Sequence, residues 1–219
     1  MLEPVRHILN KTTIILASAS PRRKEIFENL GLNFTVKPST VDENLKKSEY
    51  VGKPFKYTVD TAALKADDVF NKVVQEYENE NLVVIGCDTV VTHENIIYEK
   101  PKDVSDAARI LSKLSGDTHT VYSGVKIIYQ EKGGARGEVT FHEGTEVEFA
   151  ELSEEVIQGY ISTGEPMDKA GGYGIQGRGG SLVRGIKGDY FNVMGFPAHA
   201  FSVKFTECLN KMYNKTETV

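Results

Sequence analysis

The stretch from Asn81 to Val91, NLVVIGCDTVV, constrains this chain more than any other, because it is a nearly continuous apolar run broken once, by Asp88. A strand that is apolar on both faces must be covered on both, so the run predicts a central strand inside a layered α/β domain. A carboxylate near the end of such a strand is costly to bury without a partner. Asp88 therefore marks a place where the core opens.

The flanking patterns agree with that layering. Thr12 to Ala17 is a β-rich segment; Ser20 offers an N-cap hydroxyl and Pro21 a preset φ for a helix reaching Leu30, stopped by Gly31. Phe34 to Lys37 reads as a short strand. Apolar residues then recur in steps of three or four at Phe55, Val59, Ala62, Ala66, Val69, Val73 and Tyr77, which predicts a long amphipathic helix. His93-Glu94-Asn95 turns the chain into a strand from Ile96 to Glu99, and a helix is expected from Ser105 to Leu114. Thr118 to Gln130 and Glu138 to Leu152 read as an antiparallel hairpin joined at Gly133-Gly134. Ser153 opens a helix ending near Gly164, a glycine-rich stretch reads as loop up to Gly188, and the last helix starts at Pro197 with Phe201, Phe205, Cys208 and Met212 on one face. Strands mixed with helices and a central hairpin predict an α/β fold whose mixed twisted sheet forms two lobes around a central cleft. No repeat or linker-like tract interrupts residues 1–219, so a single domain is expected.

Composition removes several function classes. With 26 Lys plus Arg against 31 Asp plus Glu the net charge is −5, so no overall positive field gathers a nucleic acid polymer or an anionic membrane. Any anionic ligand must be held by a local cluster. No apolar run is long enough to span a bilayer, and the opening MLEPVRHILNKTT lacks a signal-peptide core. Cys87 and Cys208 form no metal or redox motif and read as reduced, buried thiols. A cytoplasmic location is expected.

Four groups of residues carry possible chemistry. In Ser18-Ala19-Ser20-Pro21-Arg22-Arg23-Lys24 a strand ends, two hydroxyls follow, and three cations ride the first helical turn. This is either a triphosphate cradle or an ordinary Ser-Pro cap followed by a solvated basic face. Cations at a helix N-terminus oppose the macrodipole, which favours the cradle. Asp88-Thr89 lies at a strand end, where it can hold a divalent metal or accept a proton from water, or simply cap a turn. Lys65, Lys100 and Lys169 share a setting beside small residues or proline that suggests ligands, although such lysines are more often solvated side chains. The stretch GEPMDKAGGYGIQG, residues 164–177, matches neither a P-loop nor a dinucleotide fingerprint. Within it, Gln176 has an amide able to donate to and accept from a base edge, and Tyr173 either stacks on a base or packs in the core. The five histidines show no metal-ligand spacing.

In order along the chain, ILASASPRRKEIFENLGL, Val41-Asp42-Glu43, Ala63-Leu64-Lys65-Ala66, GCDTVV, Glu99-Lys100-Pro101, KLSGDTHTVYSGV and GEPMDKAGGYGIQG resemble the Maf family of nucleoside triphosphate pyrophosphatases, from about Thr13 to Phe205. The resemblance implies a fold like that of the inosine triphosphate pyrophosphatases, a homodimer, and hydrolysis of a nucleoside triphosphate to the monophosphate and pyrophosphate with Mg²⁺ or Mn²⁺. It implies Asp88 as proton acceptor and Glu43 with Asp88 as metal ligands. Ser18, Ser20, Arg22, Arg23, Lys65, Lys100 and Lys169 would line the phosphate and nucleotide site, with Lys65 and Glu43 close to the chemistry. Arg22, Thr89 and Gln176 match the branch acting on dTTP and UTP, whereas the 7-methyl-GTP branch carries a bulky aromatic residue, Gln and Glu there. A nucleotide-sensing regulator without turnover is the alternative from another class. Cys87 departs from the more common Ala or Ser, and the insert from Glu131 to Glu138 is glycine-rich.

Overall fold

In the computed structural model, which describes residues 2–214, the apolar run becomes β3 (Asn81–His93). One edge of β3 pairs antiparallel with β5 (Thr118–Gln130), from Leu82 opposite Gln130 to Thr92 opposite Thr120. The other edge is divided. β1 (Thr12–Leu16) runs parallel to it from Asn81 to Ile85, and β4 (Ile96–Tyr98) runs antiparallel to it from Val91 to His93. Between these, residues 86–90 pair with no strand on that edge among the described residues. β2 (Thr35–Val36) flanks β1 in parallel, while β6 (Arg136–Phe149) and β7 (Val183–Lys187) continue antiparallel beyond β5. The sheet order is β2-β1-β3-β5-β6-β7, a mixed sheet as the sequence predicts.

Side-chain alternation along β3 feeds two layers. Val83, Ile85 and Cys87 enter a core with α2 (Pro21–Asn29) and α7 (Ala198–Asn214), where Phe201, Phe205, Cys208 and Met212 form the expected buried face. Leu82 and Val84 face the opposite way, under α3 (Pro54–Val73). Beyond the unpaired stretch, Val91, Tyr98, Val121 and Phe149 join α4 (Val104–Leu114) and α5 (Glu154–Ile161) in a separate core. The two ends of the long strands thus belong to different lobes, and the gap on β3 lies between them.

Two glycines bring α3 onto the sheet. A Cβ on Gly86 would lie 2.3 Å from the Ala62 carbonyl oxygen, and one on Gly124 would lie 2.3 Å from the Thr58 carbonyl carbon. No side chain fits at either position, so the helix rests directly on β3 and β5.

Several boundaries differ from expectation. α3 ends at Val73 rather than Tyr77, β2 is only Thr35–Val36, and β6 covers Arg136–Phe149. α1 (Arg6–Leu9), β7 and α6 (Tyr190–Met194) had no sequence forecast. β7 is a mostly exposed edge strand, VRGIK, held by its ladder to β6 and not by an alternating apolar pattern. α6 is a single short turn capped by the Asp189 carboxylate, which accepts from the Phe191 N–H at 2.8 Å. Cys87 and Cys208 are buried free thiols, as expected. Among the described residues, no helix is long and apolar enough to cross a membrane.

Candidate active site

Asp88 and Thr89 are consecutive on the unpaired part of β3, so strand alternation sends them to opposite faces. Asp88 points to the α3 face, where the Lys65 ammonium donates to its Oδ1 at 2.8 Å and lies 3.0 Å from Glu43 Oε2. Lys65 is mostly buried, and Glu43 is about half exposed on the connection between β2 and α3. Asp68 of α3 ties down the start of that connection, accepting from the Ser39 hydroxyl at 2.7 Å and the Thr40 N–H at 3.0 Å. Farther along it, Lys47 forms an ion pair with Glu99, whose other oxygen accepts from the Tyr57 hydroxyl at 2.7 Å. Burial first, then the Glu99 carboxylate, pushes the Tyr57 phenol well above its ordinary pKa, so it remains a donor.

Thr89 faces α2. Buried Arg23 donates from Nη2 to the Thr89 hydroxyl and from Nη1 to the Ser18 hydroxyl, each at 3.0 Å, and from Nε to the Gly195 carbonyl at 2.9 Å. The Thr89 hydroxyl in turn donates to Gly195 O at 3.1 Å. Arg23 thus joins the start of α2, the open stretch of β3 and the end of α6 at the cleft wall. Arg22 donates to the Met194 carbonyl at 3.2 Å and lies 3.6 Å from Asp168. The first turn of α2 has the Ser20 side chain as N-cap, accepting from Arg23 N, and contains no acidic residue. Its free N–H groups and its cations therefore act together on any anion placed there.

The glycine-rich stretch closes the third side. Glu165 organises it, accepting from the Tyr160 hydroxyl at 2.9 Å, Arg178 N at 3.0 Å and Gly179 N at 3.1 Å. Lys169 donates to Glu165 O at 2.8 Å and to Asp168 Oδ1 at 2.6 Å. Gly171, at φ +70°, packs where a Cβ would lie 2.5 Å from Val91 Cγ2. Tyr173 is a core residue: it is buried, its hydroxyl meets His119 Nε2 at 2.7 Å, and its ring stands edge-on to Phe149 at 4.7 Å. Burial lowers the His119 pKa to about 3, so the imidazole is neutral and can take part in that hydrogen bond without charge.

These walls enclose a cleft of about 530 Å³. Each residue singled out from the sequence borders it: Ser18, Ser20, Arg22 and Arg23 from the α2 side, Glu43, Lys65, Asp88 and Thr89 across β3, and Lys100, Lys169 and Gln176 around the rim. Glu99, Asp168 and the backbone of Met194 and Gly195 also border it and were not anticipated. Glu99 and Asp168 each precede a lysine that was singled out, which is the signal that was available. The carbonyls leave no trace in a sequence.

The Maf-like protein family matches residues 13–208. This chain belongs to the Maf family. Its relatives include a human protein named probable bifunctional dTTP/UTP pyrophosphatase/methyltransferase protein, 47% identical over 92% of this chain, of which the chain spans 33%. The dTTP/UTP pyrophosphatase of Agathobacter rectalis is 47% identical over 84% of this chain and 91% of its own length. That of Clostridium perfringens is 45% identical over 93% and 95%. A solved HAM1 protein from Coxiella burnetii aligns with 90% of this chain and 99% of its own at 15% identity and a TM-score of 0.44. The Maf match includes every residue of the cleft that the sequence singled out, from Ser18 to Gln176.

Proposed function

We propose that this Maf protein is a nucleoside triphosphate pyrophosphatase acting on dTTP and UTP. The observation that carries the reading is the arrangement of charge: Asp88 and Glu43 converge on Lys65 on one wall, while Arg22 and the acid-free first turn of α2 line the other. An acidic protein thereby holds a cationic lip for phosphates next to a carboxylate that can take a proton. The names of the bacterial relatives, which the chain matches over most of their length, support the substrate class.

In the proposed reaction a water oxygen attacks the α-phosphorus. The bond from that phosphorus to the α–β bridging oxygen breaks, and pyrophosphate leaves with the bond's electrons. Asp88 accepts the proton from the water; Lys65 occupies its Oδ1, so Oδ2 is the acceptor. Charge grows on the phosphate oxygens as the bond breaks, where Arg22, Lys100 and Lys169 stabilise it more than in the ground state.

Asp88 and Glu43 would hold the divalent cation, Mg²⁺ or Mn²⁺. Their fit is supported by the convergence of both carboxylates on one ammonium, a cation already placed between them. Among the described residues no group of three acidic, histidine or cysteine side chains forms a metal site alone, so substrate oxygens would complete the shell, as Mg²⁺ commonly requires. When bound, such an ion neutralises phosphate charge.

The same reading includes a cytoplasmic homodimer. Two buried, unpaired cysteines accord with a reducing compartment, and exposed Ile186, Tyr190 and Phe191 supply apolar surface near edge strand β7. Sedimentation of the purified protein tests the dimer. The function is tested by pyrophosphate release from dTTP, UTP, CTP, GTP and 7-methyl-GTP with Mg²⁺, Mn²⁺ or chelator. Metal-dependent release from dTTP and UTP is expected; nucleotide binding with no release from any of them would overturn the proposal.

A further inference from the structure

The carboxylate of Glu25 is out of place. It lies on α2 just after Arg22, Arg23 and Lys24, beside a lip built to attract anions, yet among the described residues it forms no ion pair. Lys24 pairs instead with Glu28. What Glu25 does contact is Gln176, far away in sequence on the glycine-rich stretch: Gln176 Nε2 lies 3.1 Å from one carboxylate oxygen and 3.3 Å from the other.

That contact fixes the amide. An ionised carboxylate can only accept, so it must face the NH₂ end, because the carbonyl end would place oxygen lone pairs against oxygen lone pairs. The Gln176 Oε1 is then directed away from Glu25, and no described residue donates to it. Because Gln176 borders the cleft, its contribution to a ligand is that of an acceptor.

We infer that Glu25 is a positioning residue that sets Gln176 as a hydrogen-bond acceptor and thereby selects uracil and thymine over cytosine. The inference rests on the pyrimidine triphosphate reading above. Uracil and thymine carry a proton on N3, which Oε1 accepts. Cytosine is nearly the same shape but presents a lone pair at N3, so an oriented Oε1 meets it with repulsion, whereas a free amide would turn and offer its NH₂. Gln176 and Glu25 are exposed, so the committed acceptor discriminates once a base covers it: cytosine would strip Oε1 of its water and set one lone pair against another. Specificity thus comes from a residue that need not touch the base.

The test is the ratio of kcat/KM for UTP to that for CTP in the full chain, with the divalent metal present. The substitution Glu25→Gln keeps the shape at position 25 but accepts or donates equally well, which releases the amide. The expected result is a fall of about tenfold in the UTP:CTP ratio, chiefly through a gain on CTP. Glu25→Asp, which keeps the acceptor, should retain more of the ratio. In the Glu25→Gln background, Gln176→Ala should change the ratio much less than it does in the unaltered protein, because the two act as one unit. An unaltered protein that hydrolyses UTP while Glu25→Gln keeps its UTP:CTP ratio would overturn the inference alone. An unaltered protein that releases pyrophosphate from neither UTP nor dTTP would instead overturn the substrate reading, and the inference with it.

Discussion

The two sides of the cleft are held in place by different means. On the α3 side, Asp88 and Lys65 come from a central strand and a long helix that touch backbone to backbone at Gly86 and Gly124. On the other sides, Glu43, Gln176 and Lys169 come from connecting segments fixed by hydrogen bonds to Asp68, Glu25 and Glu165. A reacting group must be placed to within a fraction of an ångström, and a packed helix-on-sheet contact does that well. A recognition group only needs to discriminate, and it can sit on a segment that is tied at a few points. The proton acceptor is thus placed by the rigid wall, while Gln176, the proposed selector of the base, and the flanking groups Glu43 and Lys169 rest on tethered segments.

The largest expected effect comes from the rigid wall. Asp88→Asn removes the proton acceptor with little change of shape and should lower kcat about a thousandfold while UTP binding persists. Turnover by the variant close to that of the unaltered protein would remove Asp88 from the chemistry. Next comes Gly124→Ala, whose methyl group has to displace the α3 backbone at Thr58. A loss of about 3 kcal/mol is expected, with a fall in Tm of roughly 6–12 °C in a thermal melt. An unchanged Tm would show that α3 is not seated as described.

Most of the rigid wall was legible in the sequence. Asp88 stood out because it interrupts an apolar run; on the opposite wall, Arg22 and Arg23 stood out because they follow a Ser-Pro start, so local pattern and chemistry coincided there too. The periodicity from Phe55 onward gave the helix that carries Lys65. The tethered walls were not legible in the same way. The Glu25–Gln176 and Asp168–Arg22 contacts join residues far apart in the chain, and nothing local marks either as a pair. For Tyr173 core packing was the commoner expectation and base stacking the rarer one; it packs on His119 and Phe149 and also borders the cleft, a double position that no local pattern marks. β7 escaped notice because its ladder to β6 holds it, without an alternating apolar face.

Smaller effects probe the tethers. His119 is neutral in the folded protein down to a pKa of about 3, against an ordinary value of 6.5. As pH falls below 6.5, the unfolded chain takes up a proton that the folded chain refuses, so stability declines toward pH 3 by at most about 1.4 kcal/mol per pH unit from this group. Denaturant titrations between pH 7.5 and 5 should show a shallower decline for His119→Gln; equal slopes would show that His119 is not the group responsible. Smallest of all, Lys47→Ala breaks an ion pair open to solvent and should cost under about 1 kcal/mol of stability. Because Lys47 shares a connection with Glu43, KM should nevertheless rise a few-fold. An unchanged KM would leave the Lys47–Glu99 pair without a role in holding Glu43.

The central claim, that a water set against Asp88 attacks the α-phosphorus, is tested most directly by hydrolysis of UTP in H₂¹⁸O. Mass spectrometry of the products should find one ¹⁸O atom in the monophosphate and none in the pyrophosphate. Label in the pyrophosphate, or release of orthophosphate in its place, would contradict it.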